Sequence, residues 1–203
     1  YISFLRGRGD VAQYFKLFLG CNDVVTPLKE TQKLVQGLEQ SLAERIKSLD
    51  GKKKTTPGLT VYELKQLLSH VRLKMGFVLQ AQARLSPAGS QERHSDLIDA
   101  DERFRKLIGT NGDEQLLSAK LGLAIGNRLR DELDRAAEML EALQKEVKDQ
   151  TGAITDAIRI EQVRVLMASR RPEDAAHRLL EIRHGRDRFG GHCHEPHTVM
   201  VWE

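Results

Sequence analysis

Three stretches of this chain repeat one side-chain pattern, and that pattern constrains the fold more than any other feature. Ala100, Phe104 and Leu107 stand at i, i+4 and i+7. Ala136, Leu140 and Leu143 keep the same spacing, as do Ala175, Leu179 and Ile182. On an α-helix the three positions share one face. The small residue lets a neighbouring helix approach closely, and the larger groups one and two turns later fill the space to the next pair. An acidic stretch or turn precedes each alanine. The segment before each triplet matches in part. Met75-Gly76 with Leu79, and Leu121-Gly122 with Ile125, set a large residue, a glycine and a further apolar residue in the same order. The third such segment has Gln162-Val163 with Leu166, so valine replaces the glycine.

Composition favours the helical interpretation. The 203 residues are 40% hydrophobic, enough for a core, and only 5% aromatic. Long stretches rich in Leu, Ala, Glu, Lys, Arg and Gln form helices rather than strands. An all-α chain is expected. A short helix is predicted from Val11 to Leu19, capped by Asp10 and stopped by Gly20; the cap explains Arg8-Gly9-Asp10 better than an adhesion tripeptide does. A second is predicted over 27–49, with Thr26 as N-cap and Pro27 at the first helical position. Its apolar stripe is Leu28, Val35, Leu38, Leu42, Ile46 and Leu49. Residues 50–59 have turn composition. Thr60 with Glu63 spells a capping box for a helix running to about Leu85. Further helices are expected near 92–108, 114–127, 131–149, 153–169 and 172–184, with turns at Ser86–Ser90, Gly109–Gly112, Asn127–Arg130, Gln150–Gly152 and Arg170–Pro172.

The triplets and the segments before them resemble the tetratricopeptide repeat, over about residues 68–184. The family's early Trp, usual Tyr and closing Pro are absent, and the first two units carry insertions. The resemblance implies antiparallel helical hairpins stacked as an α-solenoid, with a concave face lined by the first helix of each pair. It further implies partner contacts from Arg72, Gln80, Lys120, Asn127, Gln162 and Arg164 on that face. The Asn127 amide would pair with a peptide backbone. The organisation expected is an N-terminal helical cap or hairpin with linker over 1–58, a repeat region over 59–184, and a loop with the start of a further element over 185–203.

Charge and chemistry are consistent with a scaffold rather than a catalyst. The net charge is +3, with both signs interspersed. No nucleic-acid partner is expected from that balance, and the basic run Lys52-Lys53-Lys54 reads as a solvated loop. Cys21 and Cys193 lie too far apart to define a disulfide framework, and Cys21 lacks the cationic setting of a reactive thiol. His192, Cys193, His194 and His197 could contact a metal, but an incidental polar loop is the simpler expectation, so neither metal nor cofactor is assigned. No phosphate loop or nucleophile elbow occurs. Asp99 with Asp101, and Asp131 with Asp134, fall on helix starts, where the helix dipole explains them. Arg183, Arg186 and Arg188 near His184 offer a local basic patch. No apolar run is long enough to span a bilayer. The expected function is a non-enzymatic adaptor binding a protein or peptide. The alternatives are a segment of a larger solenoid, suggested by ends that look truncated, or a metal-binding protein using the His/Cys tail.

Overall fold

The computed structural model describes residues 11–49, 60–109, 113–147 and 152–188, with side chains over 27–49, 60–109, 115–147 and 152–182. These residues form seven helices and no strand: α1 (Val11–Leu49), α2 (Val61–Leu85), α3 (Gln91–Ile108), α4 (Asp113–Leu129), α5 (Leu133–Glu146), α6 (Ala153–Ala168) and α7 (Pro172–Arg188). Each helix packs on the next in chain order. The alternate helices α2, α4 and α6 also touch, α2 with α4 and α4 with α6.

Local chemistry sets several of the ends. At Thr60 both halves of the capping box form: Thr60 N donates to Glu63 Oε2 at 2.7 Å, and Glu63 N donates to Thr60 Oγ1 at 3.3 Å. Ser90 caps α3 through Arg93 N at 3.2 Å. Helices α4 and α6 end in the same way. Glu132 N donates to Asn127 O and Arg171 N to Leu166 O, both at 2.9 Å, around Asp131 (φ 67°) and Arg170 (φ 58°). This is the Schellman arrangement, which places a left-handed residue just past the helix end.

The first 49 residues depart from expectation. A single α1 replaces the two predicted helices, so Gly20 does not stop it and Pro27 lies inside it. Cys21 is therefore within a helix, not at its end. A lone Gly costs a helix about 1 kcal/mol and an interior Pro about 3 kcal/mol. Neither breaks it here, even though the turn-favouring Asn22 and Asp23 follow Gly20 closely. Asn127 also belongs to α4 rather than to the turn, which lies at Arg130–Glu132. The Arg8-Gly9-Asp10 tripeptide, the predicted cap at Asp10, the 50–59 loop and the 189–203 tail lie outside the described residues, as do the side chains of Cys21, Arg183, His184, Arg186 and Arg188. Helix α7 carries the backbone to Arg188, beyond the predicted end at 184.

The core is centred on Phe104. Its ring sits between two glycines on alternate helices: a Cβ on Gly76 of α2 or on Gly122 of α4 would lie 2.5 Å from ring carbons. Phe77 leans on it with ring centroids 5.2 Å apart. Ala100, Phe104, Ala136 and Leu140 are fully buried, and Leu107, Leu143 and Ala175 nearly so. The third triplet fails at its middle position, because Leu179 is 51% exposed. No described element follows α7 to cover it.

Candidate functional site

The six residues expected on a concave face are occupied within the chain. Arg72 Nε donates to Glu39 Oε1 at 2.9 Å. Gln80, buried, donates from Nε2 to Gly122 O at 2.6 Å. Lys120 Nζ reaches both carboxylate oxygens of Glu146, at 2.7 and 2.8 Å. Asn127, also buried, accepts at Oδ1 from Arg130 Nη2 at 2.9 Å and directs Nδ2 at Met139 Sδ. Gln162 Oε1 accepts from Arg178 Nη2 at 2.8 Å. Arg164 Nη1 donates to Glu161 Oε2 at 3.1 Å. Sequence periodicity placed these residues on helices but did not show the acids that hold Arg72 and Arg164. Glu39 and Glu161 are the missed members, while Asp99 and Asp101, expected at a helix start, lie in the middle of α3, where the helix dipole does not account for them. Asp101 receives Arg130 at 2.7 Å, and Glu161, 1% exposed, also receives Arg128. A carboxylate on a mostly apolar helical face was the available signal, since burial of such a group demands a cation.

Helix α1 presents a different surface. Residues advance by 100° per step on a helix, which puts Lys29, Lys33, Gln36, Gln40 and Lys47 within an arc of about 60° and along about 27 Å of axis. All five are exposed. The opposite side of α1 carries Val35, Leu42, Ile46 and Leu49, which pack against Leu64, Leu68 and Val71 of α2. The amphipathic geometry thus forces the lysines outward. Among the described residues, Lys29, Lys33, Arg45 and Lys47 make no ion pair. Glu44 stands at the edge of the arc and is the acid nearest to it on α1.

Glu39 fixes the rotation of α1. Its Oε1 takes Arg72 of α2, and its Oε2 takes Arg103 Nη1 of α3 at 2.6 Å. Burial alone raises the Glu39 pKa, but the hydrogen bonds and charges of Arg103 and Arg72 outweigh it and leave the carboxyl below its ordinary range. Gln82 Nε2 adds a bond to Gln32 Oε1 at 3.0 Å. At the Pro27 end, Lys29 borders a cleft of about 380 Å³ that also contains Glu92 and Asp96. Burial, then the charges of Asp99 and Glu92, raises the Asp96 pKa. The positive surface is consequently purest from Lys33 to Lys47.

The charge is segregated along the sequence as well. Residues 1–65 hold eleven Lys and Arg against seven Asp and Glu, a net +4. Residues 66–203 hold 21 against 22, a net −1. A whole-chain value of +3 hides this division. Among the described residues, no three His, Cys, Asp or Glu side chains gather as a metal site, and no helix is long and apolar enough to cross a membrane. His192, Cys193, His194 and His197 lie outside the described residues.

The comparisons with known proteins bear on this same segment. No curated protein and no solved structure matches the chain. A family model that matches only the N-terminal third redirects attention from the central helices, and it corrects three expectations: the tetratricopeptide resemblance, the protein-binding scaffold drawn from it, and the absence of a nucleic-acid partner. Small-then-bulky spacing is what any close helix crossing requires, so it does not identify a family, and an averaged charge does not measure a local one. The family model that overturns them matches residues 1–65 and is described as "Nucleoid-associated protein YejK".

Proposed function

We propose that this chain is a non-catalytic nucleoid-associated protein that contacts duplex DNA through the outward face of α1. The observation that carries this reading is the coincidence of two boundaries. The segment matching a nucleoid-associated family holds the whole net positive charge of the chain. Within it, Lys33 and Lys47 are exposed and unpaired among the described residues. Lysines in such a row suit backbone phosphates, because neutralising phosphates releases condensed counterions. Gln36 and Gln40 lie between them and supply neutral donors and acceptors to the same surface. Lys52, Lys53 and Lys54 follow α1 in sequence and extend its charge.

The helices beyond α1 serve as the support. Packing of each helix on the next, with α2, α4 and α6 in alternate contact, supports an α-solenoid of antiparallel hairpins that holds α1 at one end. The test is fluorescence anisotropy of a labelled duplex titrated with the chain at several salt concentrations. Saturable binding is expected, with log affinity falling linearly against log salt by roughly 0.9 per phosphate contacted. Absence of saturable binding at about 50 mM salt, where such contacts are strong, would remove the proposal.

A further inference from the structure

Helix α1 carries a third face, distinct from its buried side and from the lysine row. Glu30, Leu34, Gly37, Leu38, Ser41 and Arg45 are all exposed. On the helix they share an arc of about 100°, and the centres of the three faces stand roughly a third of a turn apart. Leu34 is 75% exposed and Leu38 47%. Small residues stand beside them. A Cβ on Gly37 would meet nothing within 4 Å. The Ser41 hydroxyl donates back to Gly37 O at 2.9 Å, so it needs no outside partner. Glu30 and Arg45, at the two ends, make no ion pair among the described residues.

Single exposed leucines need no explanation, but the order of these residues does. Glu30, Leu34 and Leu38 follow one another at steps of four residues; read backward, Arg45, Ser41 and Gly37 do the same. Each step advances about 6 Å along the axis. A copy of α1 laid antiparallel on this face therefore meets it in step. Glu30 faces Arg45 of the second copy, Leu34 faces Ser41, and Leu38 faces Gly37. Every contact occurs twice about a two-fold axis, which is the isologous arrangement of a symmetric dimer. Large side chains set over small ones let the two helices approach closely, and opposite charges close both ends. A parallel pair would set Glu30 on Glu30 and Arg45 on Arg45, so charge selects the antiparallel one.

We propose that this face of α1 is the docking surface for a second copy of the chain, packed antiparallel in that register. The two-fold axis stands perpendicular to the plane of the paired helices, and it keeps whatever points out of that plane on one side. Both lysine rows then lie on the same side, and both sets of supporting helices on the other. The pairing does not depend on the nucleoid reading, but its consequence rests on it. If the lysine row contacts DNA, the dimer presents two such rows as one surface, matching the two-fold symmetry of a duplex site.

The test is sedimentation equilibrium of the whole chain and its variants, with circular dichroism verifying equal helicity. The parent is expected to dimerise. Arg45→Glu sets acid against acid at both ends and should raise the dissociation constant about tenfold. Glu30→Arg/Arg45→Glu exchanges the two charges and should restore the parent's value. Gly37→Gln separates pairing from folding: it improves helix propensity yet fills the crossing, so helicity holds while the dimer weakens. Lys33→Gln/Lys47→Gln should dimerise like the parent. A parent that stays monomeric at about 100 μM, where even a weak pair assembles, gives the face to a different protein and overturns the pairing. So does an Arg45→Glu or Gly37→Gln variant that dimerises like the parent, or an exchanged pair of charges that recovers nothing. A dimer that fails to bind duplex upholds the pairing and removes only the DNA reading; a monomer that binds duplex does the reverse.

Discussion

Helix α1 and the Phe104 centre bury side chains to opposite purposes. Around Phe104, two glycines and Ala100 are shaped to one ring, and the nearby charges Asp101 and Arg130 are paired with each other. On α1, only Leu42 and Ile46 are buried among the described residues, and the lysines of the outer face pair with nothing described. The first region is complementary to itself. The second is left open to solvent, which is why we propose it, and not the Phe104 centre, as the binding surface. One chain sustains the contrast because the sequentially packed helices beyond α1 supply stability that α1 does not need to provide.

Mutation can break the contrast from either side. Phe104→Ala would empty the space between Gly76 and Gly122, and a loss of about 3–5 kcal/mol in urea unfolding is expected. A loss under about 1 kcal/mol, the level of a tolerated core swap, would show that the ring is not central. Gly122→Ala attacks the same contact by overfilling it. A methyl at 2.5 Å from the ring should cost about 1–3 kcal/mol. A neutral result would mean that α3 and α4 can separate freely.

Glu39→Gln addresses the join between the regions. It removes the acid that holds Arg72 and Arg103, and about 2 kcal/mol of stability should disappear. The pH dependence has a definite sign. The folded pKa of Glu39 is depressed, so its contribution is complete above the ordinary carboxylate range and is lost as pH falls through the lowered folded value. Chemical denaturation at neutral and acid pH should show the gap between parent and Glu39→Gln closing in acid. A constant gap would contradict the assignment. The smallest effect is expected at Arg170, a left-handed residue at a Schellman turn. Arg170→Gly should stabilise by about 0.5–1 kcal/mol, visible as a rise in melting temperature. The identical turn at Asp131 should respond less, since Asp tolerates that conformation better.

Much of the helical architecture was legible because local signals coincide. The Thr60-Glu63 box, the Ser86–Ser90 turn and the Arg170-Arg171-Pro172 turn each combine turn chemistry with a break in periodicity. Gly20, read as a stop, and Pro27, read as a helix start, misled because each places a boundary signal on one residue inside a continuous helix. The Met75-Gly76 and Leu121-Gly122 pairs showed that something must approach closely. Phe104 as the common occupant required the fold, since it comes from a helix lying between them in sequence. The proposed binding surface was harder to see. Lys29, Lys33 and Lys47 resemble any solvated helix face until the partners of Glu39 are known, and a whole-chain value of +3 does not show that the charge sits in residues 1–65. The alanine triplets, by contrast, were visible and over-interpreted, because close packing is common to helical proteins of many kinds.

The most direct measurement compares duplex binding by the parent chain and by Lys33→Gln/Lys47→Gln over a salt series, with thermal unfolding monitored in parallel. If α1 carries the DNA contact, the variant unfolds like the parent, binds more weakly, and has a salt slope shallower by about two units. A variant that binds with the parent's affinity and slope would contradict the assignment of DNA to this face.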